Sequence, residues 1–121
     1  MKTLFLKITV FVVLLLLLNY SFAQDKNKTE ILTIKTSSVC GTCKYNIEKS
    51  LVLERGVKSA SLNIENKIAT VIYKPSKTSP DKIRKAISAA GYDADDIKAD
   101  AKAYANLAPC CKKEYKGEHS D

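Results

Sequence analysis

Four cysteines carry most of the reactive chemistry available to this 121-residue chain, and they come as two pairs. Cys40 and Cys43 stand three apart in Cys40-Gly41-Thr42-Cys43, while Cys110 and Cys111 are adjacent. The C-x-x-C spacing lets both sulfurs face one ion, and the amides and dipole at a helix start favour their thiolate forms. Two thiolates on one loop suit a soft ion such as Cu(I), Hg(II), Cd(II) or Zn(II). The same spacing also serves a redox dithiol, or a plain disulfide in an oxidising compartment.

The second pair has three readings. Neighbouring cysteines bond to each other only with strain, because disulfide geometry does not fit adjacent residues easily. If the tail folds back on the first loop, Cys110 and Cys111 add thiolates and convert a two-coordinate site into a three- or four-thiolate site. Alternatively, either one forms a disulfide with Cys40 or Cys43, or the pair makes a separate tail site with His119 as a further ligand. By itself His119, close to a charged terminus, reads as a solvated side chain.

The elements that must position these sulfurs follow from hydrophobic spacing. Residues 30–36 alternate, with Leu32 and Ile34 on one face of a strand. A polar loop leads into the cysteine motif, after which Cys43, Ile47 and Leu51 repeat as the stripe of an amphipathic helix that ends near Arg55-Gly56. Residues 57–64 and 68–73 alternate around Glu65-Asn66-Lys67, which predicts a β-hairpin. Ser79 as N-cap, Pro80 at the first helical position and Gly91 after the last apolar repeat bound a second helix through Ile83, Ala86, Ile87 and Ala90. Residues 95–99 predict a short edge strand. A brief helix capped by Asp100 and stopped before Pro109 then leaves Cys110-Cys111 just beyond its end. Strand, helix, two strands, helix and strand in that order form a ferredoxin-like α+β sandwich, an antiparallel sheet with two helices on one face.

The N-terminus has a different character. Lys2 and Lys7 precede an apolar run, and Ser21-Phe22-Ala23 supplies small residues where a signal peptidase reads, so residues 1–23 are expected to be a cleaved export signal. The apolar core at residues 8–18 is about half the roughly 20 residues that span a bilayer. Residues 24–29 read as a flexible leader, residues 30–99 as the folded domain, and residues 100–121 as an extension carrying the second cysteine pair. Removing residues 1–23 takes away two lysines and no acid, and the formal charge falls from +7 to +5. A periplasmic or secreted monomer without stable membrane insertion is the expected product. Nucleic-acid binding is not expected, since no basic cluster interleaves with aromatics.

The domain resembles the heavy-metal-associated domain family over residues 31–97. The likeness rests on Cys40-Gly41-Thr42-Cys43, Gly56-Val57 entering the second strand, Ala69-Thr70-Val71-Ile72-Tyr73 on the third, and Ala90-Gly91-Tyr92-Asp93-Ala94 after the second helix. It implies a βαββαβ fold whose two motif cysteines bind a soft metal near the surface and pass it to a partner by ligand exchange. The exported layout is most similar to periplasmic mercury-binding proteins, and copper chaperones share the fold. Cu(I) is the first expectation for the ion, with Hg(II) or Zn(II) as alternatives, and a membrane metal transporter or another metallochaperone is the expected partner. Family members usually carry Gly-Met-Thr before the first cysteine; here Ser37-Ser38-Val39 stands there, so the methionine that packs beneath the metal loop is missing. Tyr92 falls where some copper chaperones have lysine and other members an aromatic residue, and it either shields the site or packs on the sheet.

Other candidates are weaker. Asp93, Asp95 and Asp96 lack the spaced oxygen ligands of a calcium loop and read as a solvated turn. Tyr45 and Tyr73 read as packing residues. No Ser-His-Asp set, phosphate loop or catalytic carboxylate pair is present, so no enzyme is expected. The competing reading is a thiol-disulfide oxidoreductase with Cys40 as nucleophile and Cys43 as resolving thiol. Against it, a hairpin directly after the first helix does not match thioredoxin topology.

Overall fold

The computed structural model describes residues 1–18 and 27–112. Helix α1 (Lys2–Leu18) is exposed along its whole length. No helix among the described residues is long and apolar enough to cross a membrane. Residues 21–23 and His119 lie outside the described residues.

The domain begins with β1 (Glu30–Lys35), followed by α2 (Gly41–Val52), β2 (Val57–Asn63), β3 (Ile68–Tyr73) and α3 (Pro80–Ala89). Among the described residues the sheet has three antiparallel strands in the order β1-β3-β2. The register aligns the apolar faces, with Leu32 opposite Val71, Ile34 opposite Ala69, and Leu62 opposite Ala69 on its other side. That face is covered by the stripes of both helices. Ile34, Leu62, Ala69 and Val71 from the sheet, Cys43, Ile47 and Leu51 from α2, and Ile83 and Ile87 from α3 form one buried cluster.

Both ends of α3 are built by the residues that announce them. The Ser79 hydroxyl accepts the Lys82 N–H and Pro80 opens the first turn. At the far end Gly91 takes φ +100°, its N–H donates to the Ser88 carbonyl at 3.0 Å, and the Tyr92 N–H reaches back to the Ile87 carbonyl at 3.3 Å. This pair of bonds is the Schellman closure. Helix α2 stops earlier than its sequence predicts: it ends at Val52, and Gly56, at φ +92°, turns the chain into β2 instead of capping the helix.

The expected fourth strand is reduced to two isolated bridges, Thr36 to Ala94 and Ala94 to Ile97. Residues 94–97 close on themselves, since the Ala94 N–H donates to the Ile97 carbonyl and the Ile97 N–H to that of Ala94. Asp95, at φ 52°, replaces a ladder residue with its side chain. Its N–H donates to the Lys35 carbonyl at 2.8 Å, and its carboxylate accepts the Lys35 N–H at 2.9 Å and pairs with Arg84 at 2.9 Å. The outer edge of β1 is therefore satisfied at Lys35 without a strand. Asp93 is likewise structural, its carboxylate accepting the Ala99 N–H at 2.9 Å.

Two further elements follow the domain, α4 (Ala101–Ala105) and a 3-10 turn at Pro109–Cys111. Asp100 caps α4 by accepting the Ala103 N–H at 2.9 Å, as its position predicts. Tyr73 is buried and donates its hydroxyl hydrogen to Glu30 at 3.0 Å. Tyr45 does not join the core: it is exposed, with the Lys49 ammonium 5.8 Å from its ring centre.

Replacing Ile87, which is fully buried between α3 and the sheet, with alanine should cost about 2–5 kcal/mol of unfolding free energy. Gly91→Ala should cost about 1–2 kcal/mol from its left-handed φ alone, and more because the new Cβ would lie 3.0 Å from the Ala103 backbone. Urea unfolding midpoints measure both.

Candidate metal centre

The first pair of sulfurs is placed by the clamping of α2 to the sheet. Cys43 is fully buried at the head of the stripe it shares with Ile47 and Leu51. Cys40 occupies the N-cap position in extended backbone (φ −153°, ψ 174°), at the half-exposed mouth of the loop. Gly41 between them has nothing within 4 Å of where a Cβ would stand, so the motif leaves open space on that side. The two sulfurs are 3.3 Å apart.

The second pair comes to the same place. Cys110 Sγ and Cys111 Sγ each lie 3.6 Å from Cys40 Sγ, and the three sulfurs are all within 4.8 Å of one another. Cys111 is buried in the domain core, and Cys110 packs against it. All four cysteines are free thiols. Of the readings open from sequence, the structure realises the approach of the tail to the first loop; neither cross-link to Cys40 or Cys43 is formed.

Local electrostatics divide the sulfurs. Burial pushes the Cys40 thiol up, but the Cys43 N–H and the hydrogen bonds from the Cys43, Cys111 and Cys110 side chains outweigh it, and its pKa is lowered to about 7. The Cys43 N–H belongs to the helix start, where orphan amides favour an anion. Cys111 is driven the other way, chiefly by burial and then by its contact with Cys43, while a hydrogen bond from Tyr92 partly opposes the shift.

Tyr92 therefore backs the site. It is fully buried, accepts the Asn46 side-chain amide at 3.1 Å, and hydrogen-bonds Cys111 through its hydroxyl. Its ring packs in the core, as one of the two expectations has it, and its hydroxyl reaches the Cys111 sulfur. No sequence signal pointed to Asn46, which sits on α2 one turn beyond the motif and fixes that hydroxyl.

The residues ahead of the motif supply a polar support. Ser38 is fully buried, with its hydroxyl 3.0 Å from that of Thr36. The Thr36 hydroxyl lies 2.9 Å from the Lys67 carbonyl, and the Ser37 hydroxyl accepts the Asp93 N–H at 2.9 Å. These bonds tie the loop to the hairpin turn and to the loop after α3.

Residues 33–93 match the model of the heavy-metal-associated domain. A copper-exporting P-type ATPase of Staphylococcus saprophyticus is 42% identical over 59 residues, covering 49% of this chain and 7% of the ATPase. The chain thus spans less than an eighth of the length of such ATPases, 11% in the case of Staphylococcus epidermidis. Among solved structures, the CopZ metallochaperone superposes with a TM-score of 0.50 and 35% identity over 55% of this chain and 98% of that one. Oxidized MerP from Ralstonia metallidurans gives a TM-score of 0.54 and 28% identity over 55% and 94%. The segment matched by the family model, residues 33–93, contains Cys40, Cys43 and Tyr92 and stops short of Cys110 and Cys111.

The lowered Cys40 thiol makes a direct test. In metal-free, reduced protein the rate of Cys40 alkylation by iodoacetamide should rise as the pH increases from 6 to 8, with its midpoint near the pKa of about 7, because the thiolate is the nucleophile. Buried Cys111 should react at least about tenfold more slowly across this window. Peptide mapping by mass spectrometry assigns the modified residue.

Proposed function

Because the chain belongs to the heavy-metal-associated domain family, we propose that it is an exported carrier of a soft, thiophilic ion, captured through Cys40 and Cys43 and then sequestered or handed on. The observation that carries this reading is the meeting of two reduced motif sulfurs, 3.3 Å apart, at the half-exposed start of a helix. Thiolates select soft ions over Mg(II) or Ca(II), and Cu(I) is the first candidate, with Hg(II) and Zn(II) next. Support for Cu(I) comes from the copper-exporting ATPases and the CopZ metallochaperone, and support for Hg(II) from MerP.

Hand-off proceeds by thiolate exchange. An incoming sulfur of the acceptor adds to the ion, a three-coordinate intermediate forms, and one of the original cysteines leaves as the ion moves across. Neither metal nor sulfur changes oxidation state, and no enzymatic step is involved. The acceptor is a membrane metal transporter or a second metallochaperone. A positively charged carrier favours an acidic docking face, so the transfer rate should fall as ionic strength rises and the Debye length shrinks below about 10 Å.

Export is supported by Lys2 and Lys7 ahead of the apolar run and by Ser21 and Ala23 at the expected cut. It places the working protein in the periplasm or outside the cell, beginning at Gln24. Amino-terminal sequencing of the exported fraction should read Gln24-Asp25-Lys26; a chain retaining Met1 in the membrane fraction overturns this part of the reading.

Native mass spectrometry of protein isolated anaerobically, with and without one equivalent of Cu(I), Hg(II) or Zn(II), tests the metal assignment. We expect a monomer holding one soft ion, with uptake abolished by Cys40→Ser/Cys43→Ser. A species lighter by the mass of four hydrogens that takes up no ion after gentle reduction would instead mean two disulfides. Brisk turnover in an insulin-reduction assay would sink the carrier reading in favour of a dithiol oxidoreductase.

A further inference from the structure

Residues 98–111 extend past the matched domain, yet they are built onto it. The Asp100 N–H donates to the Ser88 carbonyl at 3.0 Å, and the Ser88 hydroxyl donates to the Lys98 carbonyl at 2.7 Å. The start of the tail is thereby fastened to the end of α3. The α4 backbone then rests on Gly91, where an added Cβ would meet the Ala103 carbonyl group at 3.0 Å. Leu107 and Cys110 pack against the core, and Cys111 is itself 1% exposed within it. The 3-10 turn that presents both sulfurs is closed by the Cys111 N–H bonding the Ala108 carbonyl at 2.9 Å.

Sulfur separations indicate the coordination this arrangement suits. With a metal–sulfur bond of about 2.3 Å, a tetrahedral thiolate site has sulfur–sulfur edges of about 3.8 Å, and a linear two-coordinate site needs about 4.6 Å. The Cys40 sulfur has its three neighbours at 3.3, 3.6 and 3.6 Å. A linear ion between Cys40 and Cys43 would have to spread the loop by more than 1 Å. A three-coordinate ion on Cys40, Cys110 and Cys111 needs adjustments of only a few tenths of an ångström in the two 3.6 Å separations from Cys40, and these three sulfurs form a set within 4.8 Å of one another that does not include Cys43. The Asn46–Tyr92 pair holds the Cys111 sulfur from behind, which makes Tyr92 a positioning residue for it.

We propose that residues 98–111 form a thiolate arm that lays Cys110 and Cys111 beside Cys40, so that a d10 ion captured at the C-x-x-C loop is held by these three sulfurs and retained there. This rests on the metal-capture reading above and adds to it the coordination number and the tail's two ligands. Cu(I) in three thiolates, and Zn(II) or Cd(II) with a further ligand, are the ions this set accommodates.

The test uses the full chain under anaerobic conditions, with Co(II) as an optical probe of geometry and Cu(I) titrated against a chelating competitor. The wild-type protein should give the intense visible bands of tetrahedral thiolate Co(II). C110S/C111S should lose those bands, still bind one Cu(I), bind it between about 10²- and 10⁴-fold more weakly, as for loss of tethered ligands, and release it faster to the competitor. Cys110→Ser alone keeps buried Cys111 in place and should fall between the two, which guards against a folding defect in the double variant. If C110S/C111S matches the wild type in spectrum, affinity and release rate while C40S/C43S binds nothing, the arm is no ligand and the proposal fails with the capture reading intact. If the wild type itself takes up no ion, the capture reading fails and the arm with it.

Discussion

The clamp of α2 on the sheet is the constraint from which the site follows. Cys43, Ile47 and Leu51 are all fully buried on one helical stripe. Burying each aliphatic side chain contributes about 1.5–3 kcal/mol, so the helix cannot rotate without exposing the stripe. One motif sulfur is therefore a core atom, and the other, one turn earlier at the N-cap, is confined to the loop mouth. The C-x-x-C spacing is what allows a single helix to do both. Moving either cysteine by one residue would swing it about 100° around the helix axis, away from its partner.

Beneath the loop, a hydrogen-bond network stands where the family usually places a methionine. Ser38 is buried without an apolar side chain, and its hydroxyl is satisfied through Thr36, which in turn reaches the Lys67 carbonyl. Lys67 itself takes φ 62° in the hairpin turn. Each such bond contributes only about 0.5–1.5 kcal/mol net, but leaving a buried hydroxyl unpaired would cost about 1–3 kcal/mol. The network is thus directional where methionine packing is adaptable, and it fixes the loop by geometry in place of filled volume.

Much of this was legible in the sequence, and most of what was not shares one cause. Ser79-Pro80 and Gly91 bound α3 because caps act within a few residues, and the alternating runs gave the hairpin because its partners are close in the chain. The C-x-x-C motif, the apolar faces and the short helix after Asp100 were equally local. The fourth strand was not, because its replacement depends on Asp95 reaching Lys35 and Arg84, a contact 60 residues distant in the first case. Asn46 under Tyr92 was hidden for the same reason. The approach of Cys110 and Cys111 to Cys40 spans 70 and 71 residues and leaves no periodic trace. Its only local sign, Gly91, was already accounted for as a helix terminator.

That double use of Gly91 links fold to function. A residue at φ +100° is needed to close α3, and the same missing side chain opens the surface on which Ala103 and Tyr104 rest. Tyr92, the next residue, turns inward to meet Asn46 and Cys111. The termination of one helix therefore sets both the seat of the tail and the group that holds its sulfur. Cys40 remains the half-exposed thiol with a pKa lowered to about 7, while burial pushes the Cys111 thiol the other way. On the proposed capture reading, an ion arriving from solvent would meet the half-exposed Cys40 before the buried Cys111.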